Sequence, residues 1–184
     1  MVSHFGDDRP PFRAPSAKLL TTFLLTMRGT LYCYYGDELG MTNIRFDKIE
    51  DYRDVATRNG YQQVKNKGGD LTGFLATAQR SARDNGRTPF QWDATAHAGF
   101  TTGTPWLRIN PNYPQLNAAA QEKDPASIFN YFRKATALRR QHKVLVYGKY
   151  ELLDAANPYI YAYTRTLDKV KVLVVLNFSA DKRT

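Results

Sequence analysis

Apolar positions at Ala17, Leu20, Phe23, Leu24 and Met27 recur at helical spacing, and the pattern predicts a helix over Ser16–Arg28. Ser16 follows Pro15 as the N-cap and Gly29 stops the helix. Few charges interrupt it, so burial on more than one side is expected. Next comes Leu31-Tyr32-Cys33-Tyr34-Tyr35, an apolar run bounded by Gly29 and Gly36, which reads as a strand buried on both faces. The stretch from Asp37 to about Gly73 is charged and glycine-dotted, with a helix expected within Asp47–Tyr61 and a short one over Phe74–Arg83. Residues 85–117 read as a long Pro/Gly/Asn-rich loop that holds both tryptophans, and such a loop in a compact domain is usually functional. From Ser127 to His142, Ile128, Phe129, Phe132, Ala135 and Leu138 mark an amphipathic helix with basic residues opposite.

Beyond it the texture changes from helical to β-rich. Val144–Tyr147, Tyr150–Leu153, Ile160–Thr164 and Val170–Phe178 read as short antiparallel strands, separated by Gly148, Asn157-Pro158 and Asp168. Helix, buried strand, long polar segment and helix make an α/β unit, followed by an all-β unit from about residue 145.

Composition permits a core: 42% of the 184 residues are hydrophobic and 13% aromatic. The mean hydropathy is −0.52, and the longest apolar run, Leu19–Met27, is broken by threonines and far below the roughly 20 residues that span a bilayer. Neither a membrane segment nor a signal peptide is expected. The lone Cys33 excludes an internal disulfide and fits the reducing cytoplasm, with a buried, inert thiol expected in its apolar run. A net charge of +9 raises nucleic acid as a partner. Its distribution argues against one. Residues 133–184 carry 11 basic and 4 acidic side chains, spread over a helix face and the strands without a run of like charge, so a solvated basic face is the better reading.

The densest chemistry lies in Ser81-Ala-Arg83-Asp84-Asn85-Gly-Arg87-Thr-Pro-Phe90-Gln91-Trp92-Asp93. Guanidinium forks, amide and carboxylate acceptors and flat aromatic faces suit a polyhydroxylated ligand, whose hydroxyls take hydrogen bonds while its carbon face lies on a ring. The competing reading is a surface turn closed by an Arg–Asp pair, with Trp92 and Phe90 in the core. Asp51, Asp54 and Asp84 lie near arginines, which would depress their pKa values and disqualify them as catalytic acids.

Three segments carry a family resemblance: Gly29–Thr42 (GTLYCYYGDELGMT), Arg83–Trp92 (RDNGRTPFQW) and His97–Trp106 (HAGFTTGTPW). Together they resemble the oligo-1,6-glucosidase and α-glucosidase branch of the α-amylase superfamily of glycoside hydrolases, whose relatives include trehalose-6-phosphate hydrolase and sucrose isomerase. Asn110–Tyr113 and the Ser127 helix extend the likeness over essentially the whole chain.

The resemblance implies that residues 1–144 are the C-terminal portion of a (β/α)₈ barrel and residues 145–184 part of a β-sandwich domain. It implies a retaining α-glucosidase that releases terminal glucose from short α-glucosides, without cofactor or metal, with a small sugar as partner and neither nucleic acid nor membrane. It also implies that the nucleophile, the acid/base and a third carboxylate belong to earlier barrel strands, so no catalytic residue is assigned here and the isolated chain is expected to be silent. Asp37-Glu38 lies past the strand's C-terminal end, where barrel sites are built, but is expected to be structural. The substrate-binding candidates are Arg83 and Arg87. Arg83 matches the family arginine that holds the non-reducing glucose, where a planar fork can bind a carboxylate and a hydroxyl together. Arg87 is the weaker candidate, better suited to anchoring the loop. In two places the sequence departs from the family. Leu31 stands where Pro is common, and Ala56 follows Tyr52-Arg53-Asp54-Val55 where α-1,6-cleaving members carry Glu, which leaves α-1,4 or broader specificity open.

Overall fold

A computed structural model describes residues 1–183. The first elements are α1 (Val2–Phe5) and α2 (Arg13–Thr26). Ser16 is not the cap of α2. The helix starts a turn earlier, with Pro15 inside its first turn, where a missing N–H costs nothing. The Ser16 hydroxyl instead accepts from the Asp7 amide at 3.1 Å. Along α2, Thr22 and Thr26 turn their hydroxyls back onto the carbonyls of Lys18 and Thr22, which satisfies polar groups on a helix covered on several sides.

Residues 31–35 form no strand among the described residues, and from Tyr32 onward their side chains are open: Tyr32 is 87% exposed. The sequence predicts a strand buried on both faces, but among the described residues no neighbouring strand pairs with the run, and its edges stay unpaired. Cys33 is accordingly exposed, not buried.

After turns at Asp37–Leu39 and Ile49–Asp51 come α3 (Val55–Asn66) and α4 (Leu71–Ser81). Asp54 and Asp70 cap them, accepting from the amides of Thr57 and Gly73. α4 sits on a cluster of Ile44, Phe46, Tyr52, Ala78 and Leu107, and α3 packs on α4 through Tyr61 against Phe74. Between α4 and α5 (Ala118–Lys123) the backbone holds only the 3-10 turns Arg83–Gly86 and Ala96–Gly99, as the loop reading requires. Ser127 caps α6 (Ile128–Gln141) through the Asn130 amide. α6 packs on α2, with the hydroxyls of Thr22 and Tyr131 2.5 Å apart.

Val144–Tyr147 falls in a short helix, α7 (Lys143–Tyr147), not a strand. Val144 and Leu145 are buried there, and an arginine from the sheet binds the carbonyls of Leu145 and Val146, satisfying groups that a strand would have given to a ladder. The remaining strands β1 (Lys149–Leu153), β2 (Ile160–Leu167) and β3 (Val170–Asn177) form an antiparallel sheet in sequence order, with Tyr163 opposite Val174. One face of the sheet presents Tyr163, Val174 and Leu176 to Leu19, Phe23 and Met27 of the α2 region. An α/β unit of helix, extended segment and helix, joined to an antiparallel sheet, is the architecture expected.

Candidate functional site

Asp54 organises the candidate site. As N-cap of α3 its Oδ2 accepts from the Thr57 amide at 3.1 Å and from the Thr57 hydroxyl at 2.8 Å. Its other oxygen, Oδ1, lies 2.6 Å from Arg83 Nη2 and 3.8 Å from Arg87 Nη1. Burial alone would raise this carboxyl; the bonds from Thr57 and the Arg83 guanidinium overcome it and hold the pKa below the ordinary value. Asp84, wholly buried, accepts from the amides of Arg53 and Asp54 at 2.6 and 2.7 Å, and its Oδ1 stands 3.6 Å from Arg87. The start of α3 and the turn after α4 are thus stitched together by two carboxylates and two arginines. The expected association with arginines holds for Asp54 and Asp84, whereas Asp51 makes no ion pair among the described residues.

Arg83 and Arg87 play different parts. Arg87 reaches both carboxylates at long range, as a loop anchor does. Arg83 makes one short contact and leaves its side chain 60% exposed, so a fork oriented by Asp54 still presents N–H donors to solvent.

The loop beyond is held from within. Gln91 is fully buried and its Nε2 donates to Asn112 Oδ1 (2.9 Å) and the Leu116 carbonyl (2.6 Å), while the Trp92 amide donates to Ala98 O. The Gln between the aromatics is therefore a strut. Trp92 is not core, as the competing reading had it: it is 54% exposed, with its ring centroid 4.5 Å from that of Phe90. With Trp106, Phe100, Tyr35, Glu38 and Arg87 these rings line an open cleft of about 520 Å³. The Tyr35 hydroxyl donates to the Thr88 carbonyl at 3.1 Å, tying the extended segment to the arginine loop. Glu38 Oε2 is buried without a hydrogen-bond partner among the described residues, and burial pushes this carboxyl up.

The sequence marks Asp54 as an acid near arginines and as part of the Tyr52-Arg53-Asp54-Val55 run, not as the centre of the site. The signal for its central place was present: an Asp three residues before Thr57 at a helix start. The contribution of Tyr35 had no local signal, since its partner lies 53 residues away. Among the described residues no cluster of metal-ligating side chains occurs, and no helix is long and apolar enough to cross a membrane.

Comparison with known proteins agrees with this arrangement. Residues 1–148 match the family model described as alpha amylase, catalytic domain. The chain is 50% identical over 179 residues to an oligo-1,6-glucosidase of Parageobacillus thermoglucosidasius, covering 97% of this chain and 32% of the relative. It is 44% identical to a trehalose-6-phosphate hydrolase of Bacillus subtilis, again over 97% and 32%. Among solved structures, the trehalulose synthase MutB of Pseudomonas mesoacidophila MX-45 superposes with a TM-score of 0.95 at 46% identity, over 98% of this chain and 33% of that one. An isomaltulose synthase variant of Erwinia rhapontici NX5, in complex with its natural substrate sucrose, superposes at 0.92 and 52% identity, over 96% and 32%. The chain spans about a third of the length of these relatives. It belongs to the α-amylase family of glycoside hydrolases, within whose catalytic domain residues 1–148 fall.

Proposed function

We propose that this chain supplies the arginine side of a glucose pocket in a retaining α-glucosidase that acts on short α-glucosides. The observation that carries the reading is Arg83, fixed by Asp54 at 2.6 Å yet largely open. A guanidinium anchored on one edge keeps its other N–H groups in a fixed plane for sugar hydroxyls, with less entropy to lose than a free side chain. The aromatic cleft beside Arg87 offers ring faces for the carbon side of a sugar.

Bond cleavage with retention needs two carboxyl groups about 5–5.5 Å apart, one as nucleophile and one as acid/base. Asp54 and Asp84 are unsuited to that work. Both are committed to backbone amides or a cap and to arginines, and Asp54 is held ionised. Glu38 is pushed up by burial, and its neighbouring carboxylate, Asp37, is engaged by the N-terminal ammonium at 2.9 Å. The 184-residue chain by itself is therefore predicted not to turn over an α-glucoside. A domain boundary near residue 145 and a cytoplasmic location, the latter suited to an exposed free thiol, complete the proposal.

Titration with glucose or isomaltose, followed by the Arg83 Nε–Hε resonance, tests the binding half. A saturable shift is expected there and at the Trp92 indole N–H, the latter lost in Arg83→Lys, and a flat titration would remove the reading. Incubation with p-nitrophenyl α-glucoside tests the other half: sustained hydrolysis by purified chain would show that its own carboxylates suffice. Binding without turnover is also what an accessory carbohydrate-binding protein would give, and the graft experiment described at the close of the Discussion separates the two.

A further inference from the structure

Two arginines outside the candidate site are buried where the helices meet the sheet: Arg139 in α6 and Arg165 in β2, the latter completely. Neither has a carboxylate within ion-pair distance among the described residues. Their partners are all carbonyls. Arg139 Nη1 donates to Leu25 O (2.8 Å), Met27 O (2.9 Å) and Leu145 O (2.8 Å), and its Nη2 to Gly29 O (2.6 Å). From the opposite side, Arg165 Nη1 donates to Thr26 O and to Leu145 O (2.9 Å), while its Nε and Nη2 reach Gly148 O at 3.2 and 2.9 Å.

A buried cation without a counter-ion is ordinarily unfavourable. Here the negative end of α2 stands in for one. Its last carbonyls have no partner inside the helix and carry the negative end of its dipole. Burial and the neighbouring Arg139 charge still pull the Arg165 guanidinium below its ordinary value. The two side chains share one acceptor, Leu145 O, so they belong to a single network that runs from the sheet to the turn after α2.

We propose that Arg139 and Arg165 form a strap that couples the C-terminal sheet to the Met27–Gly29 turn leading into Leu31–Tyr35, so that sheet and helices open as one unit. The planar fork is what makes this possible, because one guanidinium satisfies three or four carbonyls in fixed directions. A lysine ammonium, on a flexible stem with three donors at one point, cannot span them.

Native-state hydrogen exchange of the whole chain in rising urea tests the strap, comparing amides of β2 and β3 with those of α4, which packs in a separate cluster. In the parent chain the two sets should converge on one opening transition. In Arg139→Lys and in Arg165→Lys the sheet amides should exchange at least about 10-fold faster than those of α4, because charged hydrogen bonds across the junction are lost. The exposed neighbour Arg140 serves as control, and Arg140→Lys should leave the sets in step. Separate transitions in the parent chain would overturn the proposal. So would variants in which protection is unchanged, or falls equally in sheet and helices. Should Arg165→Lys fail to fold, Arg139→Lys decides alone, since it loosens the same Leu145 carbonyl and the turn.

Discussion

Replacing Asp54 separates its cap from its charge. In Asp54→Ala the Thr57 amide loses its acceptor, a loss of about 1 kcal/mol for a helix cap. The nearly buried Thr57 hydroxyl loses its 2.8 Å bond, adding ~1 kcal/mol. The Arg83 pair adds no more than ~0.2–1 kcal/mol, because that guanidinium is mostly exposed and screened. The total is about 2–3 kcal/mol, which for a chain of this size lowers Tm by roughly 4–12 °C. Asp54→Asn keeps an oxygen for Thr57 and loses only the charge, so it should be weakened by about 0.5–1 kcal/mol. The charge component also has a pH signature. Because the folded carboxyl is held below its ordinary value, its contribution is fully present above the unfolded pKa, near ~3.9, and vanishes as pH falls through the folded pKa. Urea melts followed by tryptophan fluorescence should therefore show parent and Asp54→Asn separated by a constant gap from neutral pH down to about pH 5, closing below about pH 4. Equal destabilisation by Ala and Asn would refute the primacy of the cap. A gap that persists undiminished in acid would refute the charge assignment.

Gln91→Ala should free the 92–112 excursion: losing the two bonds of a fully buried amide is predicted to destabilise the chain by about 2–3 kcal/mol and to open new proteolytic sites between Trp92 and Asn112. A cleavage pattern like the parent's would contradict it. Cys33, although exposed, has its thiol pushed up to about 11, first by desolvation and then by the Glu38 and Asp37 charges. Its alkylation by iodoacetamide should thus be slow at neutral pH and keep climbing beyond pH 10, since only the thiolate reacts. A plateau near the ordinary thiol value of about 8.5 would refute this.

The periodic elements were readable because one period and one cap decide each of them. Ser127 followed by apolar positions at 128, 129, 132 and 135 makes α6 whatever surrounds it. Strands β1 to β3 carry the β-branched and aromatic residues their sequences show, whereas the complete burial of Arg165, mid-strand beside Tyr163 and Thr164, has no signal in that pattern. Failures came where the outcome depends on distant partners. The Tyr-rich run 31–35 has the composition of a buried strand, but strand formation needs a neighbour, and none among the described residues pairs with it. Val144–Tyr147 has β-branched residues yet turns helical, because Arg165 takes carbonyls that a ladder would otherwise use. In the candidate site, Arg83, Arg87 and Asp84 lie within one short stretch and were visible together. Asp54 joins them across the sequence, through amide bonds and an ion pair that only the fold reveals. Of the two readings the sequence leaves open for Trp92, the exposed one holds, with its neighbour Gln91 in the buried position.

The central claim is that Arg83, presented by Asp54, holds the glucose of an α-glucoside. Its most direct test grafts residues 1–183 onto the matching third of the oligo-1,6-glucosidase of Parageobacillus thermoglucosidasius, to which the chain is 50% identical. kcat/KM for p-nitrophenyl α-glucoside is then measured with and without Arg83→Ala. An active graft that loses roughly 10- to 100-fold in kcat/KM on the substitution is predicted, the range expected for one charged hydrogen bond to the substrate. A folded, active graft whose kcat/KM is indifferent to Arg83→Ala would contradict the account.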